Sequence, residues 1–199
     1  MQNLSAEKCC HQVFPAMKTK IAFLTGQSNP SSTSLSPVQT EFMKKIPVPE
    51  ELKSYRNFPY TEGSAYSEVN ILRASINNAR QYLNAGKRSD EYSGMFNKYF
   101  KNNDIIIIIS GSCGLHLFNS LNLSAEIRQK ISIFAYGPTA HRIPECRDIF
   151  IVQGRKDWIS RLWRLPVNEY AECGHMDYLN QKSVFDSCIR FLKKNGVSA

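Results

Sequence analysis

Three short stretches of this chain carry side chains that could do chemistry together. The first is Ser110-Gly111-Ser112-Cys113-Gly114, which directly follows the run Ile105 to Ile109. A strand that turns abruptly into a helix holds its apex residue in a strained backbone conformation. The residues two before and two after must then be small to avoid collision. Ser110 and Gly114 meet that demand around Ser112. The turn also lifts the Ser112 hydroxyl to a helix N-terminus, where developing negative charge is stabilised. Cys113 is a rival nucleophile, but an elbow centred there puts Leu115 at the crowded position, so the steric rule favours Ser112. Cys113 then follows the nucleophile, and its backbone N–H is an oxyanion donor.

The second stretch, Asp148 to Trp158, reads as a strand closed by Gly154 with a carboxylate, Asp157, three residues on. The third, Cys173-Gly174-His175-Met176-Asp177-Tyr178, sets a histidine in a loop before the last helix. Taken singly, Asp157 could be a solvated loop acid and His175 a helix-entry residue. Taken together, serine, acid and histidine occur in the order and contexts of a nucleophile, an orienting carboxylate and a general base. The Cys173 to Asp177 cluster lacks a second ligand group at structural zinc spacing.

The positioning elements follow from apolar pattern. Ile21–Leu24, Ser54–Phe58, Ile105–Ile109, Ile131–Tyr136 and Ile149–Val152 read as strands, with a short one around Val167–Ala171. Five consecutive isoleucines are the composition of a central strand covered on both faces. Val69, Leu72, Ile76, Ala79 and Leu83 recur at helical spacing, with Gly86 as terminator. Further helices are expected around Glu91–Phe100, from Cys113 to Leu121, and over Val184 to Leu192. Alternating strands and helices predict an α/β fold: a mainly parallel sheet with helices on both faces. Residues 1–20 read as an N-terminal extension and 21–199 as a single domain.

With this pattern, the sequence resembles the α/β-hydrolase superfamily from about Ile21 to Leu192, as a reduced and lidless form. The resemblance rests on Ser110-Gly111-Ser112-Cys113-Gly114, on Gln153 to Asp157 and on Gly174-His175. It implies Ser112, Asp157 and His175 as a catalytic triad, and Gly26 or Gln27, after the first strand, as the second oxyanion donor beside Cys113. It implies a carboxylic ester or thioester as substrate, an acyl-serine intermediate, and neither metal nor organic cofactor. An acyltransferase at the same site and a non-catalytic binding protein on this fold are the alternatives. The antiparallel strands usual at one edge are missing. About a dozen residues separate Tyr136 from Ile149, too few for a helical lid, so the site should be open unless the Ser28 to Pro37 loop covers it.

The remaining expectations concern partners. The 199 residues carry 25 Lys and Arg against 17 Asp and Glu, a net charge of +8. A basic surface favours acidic partners, but no nucleic-acid-binding motif accompanies it. Tyr136, His141, Arg142 and Arg161 are expected near substrate. Arg155, Lys156 and Arg161 could receive the phosphate arm of a substrate tethered to an acidic carrier protein. Trp158 and Trp163 read as packing residues. No apolar run nears the ~18 residues of a membrane span, no secretory signal is apparent at the N-terminus, and the six cysteines suit reduced thiols. These point to the cytoplasm.

Overall fold

The computed structural model describes residues 17–26, 29, 32–63, 66–67 and 83–197. Its sheet has five parallel strands in sequential order: β1 (Thr19–Thr25), β2 (Ile105–Gly111), β3 (Ile131–Tyr136), β4 (Asp148–Gly154) and β5 (Glu169–Ala171). The isoleucines of β2 explain its central place. Ile106 and Ile108 face one side and Ile105, Ile107 and Ile109 the other, all buried. Burying each contributes about 2 kcal/mol.

Helices cover both faces. On one, α2 (Ser89–Phe100) brings Tyr92, Phe96 and Phe100, and α3 (Gly114–Ser120) brings Leu115, Leu117 and Phe118. On the other, α1 (Pro37–Lys45) brings Phe42 and Met43. The last helix there, α6 (Lys182–Lys194), brings Val184, Cys188, Phe191 and Leu192. Two one-turn helices, α4 (Ala125–Arg128) and α5 (Trp158–Arg161), complete the connections. Helix α1 was not expected from periodicity, although its start is written in the chain. Ser36 accepts from the Gln39 N–H, Gln39 returns a side-chain bond to the Ser36 N–H, and Pro37 begins the helix, a capping box.

Two expectations change. Ser54–Phe58 is not a strand of the sheet. Lys53 makes one parallel bridge to Ile21, and Arg56 one antiparallel bridge to Ser34. The reason lies at Asn57, whose side chain accepts the Thr25 N–H at 3.0 Å. A side chain thus occupies the edge of β1 where a strand would supply backbone. The first strand is also longer than the expected Ile21–Leu24, since β1 begins at Thr19. The helix over Val69–Leu83 lies outside the described residues except for Leu83, which is helical; residues 1–16 lie outside them too.

The chain leaving β1 reaches that strand's outer edge at Lys53, whereas the chain leaving β2 turns the other way, to β3. The connections therefore diverge above the carboxyl ends of β1 and β2. Such a divergence opens a crevice at which open parallel sheets bind ligands.

Candidate active site

Ser112 stands just past the carboxyl end of β2. The register pairs Thr25 with Gly111, and Gly111 with Tyr136, as the last rungs of their ladders. Ser112 is the next residue, and it has φ of 51°, a left-handed conformation that side chains other than glycine's adopt at a cost of order 1–2 kcal/mol. The surroundings hold it there. Its N–H donates to Tyr136 O at 3.4 Å, and its carbonyl accepts from Thr139 N–H at 2.9 Å.

The small neighbours are required by contact. A Cβ on Gly114 would lie 1.9 Å from Leu24 O and 2.8 Å from the Ser110 hydroxyl. One on Gly111 would lie 2.4 Å from the Tyr136 ring. The turn therefore closes only with these residue types, and α3 can start against the end of β1.

Ser112, His175 and Asp157, drawn from three separate loops, form one hydrogen-bonded line. Ser112 Oγ is 3.1 Å from His175 Nε2, and His175 Nδ1 is 2.9 Å from Asp157 Oδ2. Asp157 is fully buried. Its Oδ1 caps α5 by accepting the Ser160 N–H at 3.1 Å. Its Oδ2 also accepts a hydrogen bond from the Tyr178 hydroxyl at 2.7 Å. Burial pushes the Asp157 carboxyl up. The hydrogen bonds from His175, Tyr178 and Ser160 outweigh it and hold the group well below the usual carboxylate range. An ionised Asp157 accepts only, so the network assigns the proton to His175 Nδ1 and leaves the Nε2 lone pair for the Ser112 hydroxyl. Such an arrangement can take a proton from an alcohol oxygen.

Tyr178 is the member that sequence reasoning missed. It is buried, it accepts the Gly154 N–H at 2.6 Å, and its ring packs beside Tyr136 at 5.6 Å. It thereby ties the end of β4 to the carboxylate. Gly137, with φ of 51°, makes room, because a Cβ there would lie 2.6 Å from the Tyr178 ring. The only hint in the sequence was a tyrosine three residues after the histidine; its partners come from another strand.

The rival Cys113 is buried, and desolvation pushes its thiol up to about 12. It is a neutral packing group at neutral pH. Gly26 follows Thr25 as Ser112 follows Gly111, each the first residue past the last paired rung of its strand. Gln27 lies outside the described residues.

The other expected site residues are dispersed. Tyr136 is buried, with its ring closed against Gly111 beneath the turn. His141 stands edge-on to Trp163 at 4.6 Å and 6.3 Å from His116, in the first turn of α3, which brings the loop after β3 beside the site. Arg142 is exposed and its carbonyl accepts from Asn119. The Arg161 guanidinium lies over the Trp158 ring and donates to Arg155 O. Trp158 was expected to pack inside, but it is 73% exposed. Of the Ser28 to Pro37 loop, residues Ser32, Thr33 and Leu35 are buried, and Thr33 bonds to Asn57 and Thr61. That part is packed down onto the fold. Residues 27, 28, 30 and 31 lie outside the described set.

Among the described residues, no helix is long and apolar enough to cross a membrane, and Cys113, Cys146, Cys173 and Cys188 are free thiols.

No family model matches the chain, and no curated protein matches it. Among solved structures, an esterase of Pyrococcus furiosus is similar at a TM-score of 0.44 and 12% identity, over 90% of this chain and 82% of that one. What this chain does must be read from the side chains around Ser112.

Proposed function

We propose that the chain is a serine hydrolase of the α/β-hydrolase kind, which cleaves a carboxylic ester or thioester through an acyl-Ser112 intermediate. One observation carries this reading: the unbroken line from Ser112 Oγ through His175 to a buried, ionised Asp157, begun at a left-handed turn between strand and helix.

The chemistry follows from the proton inventory. His175 Nε2 takes the Ser112 proton as Oγ attacks the carbonyl carbon. The tetrahedral oxyanion accepts hydrogen bonds from the Cys113 N–H and from that of Gly26 or Gln27, each donor worth roughly 3 kcal/mol in the transition state. The bond to the leaving oxygen or sulfur then breaks, and His175 returns the proton to that atom. Water, deprotonated by the same nitrogen, attacks the acyl carbon; the bond to Ser112 Oγ then breaks, His175 returns the proton to Oγ, and the acid leaves. Asp157 stays ionised throughout, holding the tautomer and stabilising the imidazolium. The His175 side chain keeps 16% of its surface exposed, which gives water a route to the acyl-serine.

A fluorophosphonate probe tests the assignment. The wild-type chain should label at a single site, and Ser112→Ala should not label. Equal labelling of the two would remove Ser112 from the reaction.

A further inference from the structure

The short helix α5 is apolar on the wrong side. Its Ser160 is buried and faces the sheet, while Trp158, Ile159 and Leu162 are 73%, 51% and 81% exposed. At 100° per residue these three fall within one arc of about 100°, opposite Ser160. Met176, next to His175, is 84% exposed. Trp158 follows Asp157 and Met176 follows His175 in sequence, and Asp157 and His175 are joined by a hydrogen bond of 2.9 Å. Backbone bonds from Arg155 to Ala171 and from Lys156 to Cys173 lock the two segments together.

Basic residues predominate on the α5 side of this face, while Glu172 and Asp177 are exposed on its Met176 side. Residues 155–164 hold Arg155, Lys156, Arg161 and Arg164, and their single acid is the buried Asp157. Arg155 pairs with Glu172. The other three make no ion pair among the described residues. Arg161 lies against the Trp158 ring at 5.1 Å, so cation and aromatic group share one surface.

A stable interface with a second copy needs about 800 Å² per partner, more than four side chains supply. A lipid interface needs only a few inserted apolar groups ringed by cations, with tryptophan suited to the headgroup level. We propose that this face docks on an anionic lipid surface and presents Ser112 to ester-bearing lipids there. Docking stands on the exposed face alone; the lipid-ester substrate rests on the hydrolase reading above.

Co-sedimentation of the full chain with vesicles tests it, using phosphatidylglycerol mixed with phosphatidylcholine, against phosphatidylcholine alone. The wild type should bind the anionic vesicles, more weakly at high salt. Ile159→Ser combined with Leu162→Ser should lose about tenfold or more in partitioning. Lys156→Glu combined with Arg161→Glu should remove the preference for anionic lipid. Docking is overturned if the wild type fails to sediment, if the double serine variant sediments like it, or if both vesicle types bind equally. A concentration-dependent dimer that the serine variant abolishes, without vesicle binding, would make the occupant a second copy and also overturn it. Ser112→Ala should bind vesicles as the wild type does. Vesicle binding with no fluorophosphonate labelling would support docking and overturn the lipid-ester substrate.

Discussion

Tyr178→Phe removes one oxygen atom from the interior and with it two hydrogen bonds. One is donated to Asp157 Oδ2 at 2.7 Å and the other accepted from the Gly154 N–H at 2.6 Å. A hydrogen bond to a charged group is worth about 1.5–3 kcal/mol, and a buried N–H left unpaired costs about 1–3 kcal/mol. The variant should lose about 3 kcal/mol, which for a chain of this size is a fall of about 6–12 °C in Tm. The pH dependence has a definite sign. Asp157 has its folded pKa held below the usual value, so its stabilisation is fully present above the unfolded pKa of about 3.9. It is lost as pH falls through the folded pKa. Without the Tyr178 donor that folded pKa rises, so the loss still begins near the unfolded pKa but is smaller and complete at higher pH. Circular dichroism should show a Tm gap constant between pH 5 and 8 and an acid-unfolding midpoint shifted upward. Because Ser160 still holds Oδ1 and His175 keeps its bond, kcat should fall only about tenfold. An unchanged Tm at pH 7 together with an unmoved acid midpoint would refute the view that Tyr178 holds the carboxylate.

Asp157→Asn should stay folded yet lose roughly four orders of magnitude in kcat on a p-nitrophenyl ester; a fully active variant would exclude this residue from the relay. Ser112→Gly should be more stable than Ser112→Ala by about 1 kcal/mol in urea titrations, because glycine tolerates the φ of 51°. Equal stabilities would mean the turn stores no strain. Cys113, buried and pushed up to about 12, should resist iodoacetamide at pH 8, read by mass spectrometry of its peptide. Modification at the rate of a free thiol would return it as a rival nucleophile.

The residues of the hydrogen-bonded line, Ser112, His175 and Asp157, were legible in the chain because each sits beside a strong local signal. The isoleucine run marks β2, the small residues Ser110 and Gly114 mark the turn, and Gly154 marks the end of β4. Local crowding is encoded by neighbours in sequence, which favours a turn centred on Ser112 over one centred on Cys113, and the left-handed φ of 51° falls at Ser112. Ser54–Phe58 looked like a strand for the same reason, its aromatic and apolar content. It fails to pair because the Asn57 side chain claims the Thr25 N–H, 32 residues away.

What only the tertiary structure decided are the partners across the sheet. Parallel order and register set Thr25 level with Gly111, and the packing around them brings His175 Nε2 within 3.1 Å of Ser112 Oγ. The same packing delivers the Tyr178 hydroxyl to Asp157 across 21 residues. Pattern in sequence could not assign Tyr178, since a buried tyrosine reads as core whether or not its hydroxyl has a task. Nor could it turn Trp158 outward: the face a one-turn helix buries is chosen by where Asp157 must point, and here the carboxylate, not the tryptophan, takes the interior.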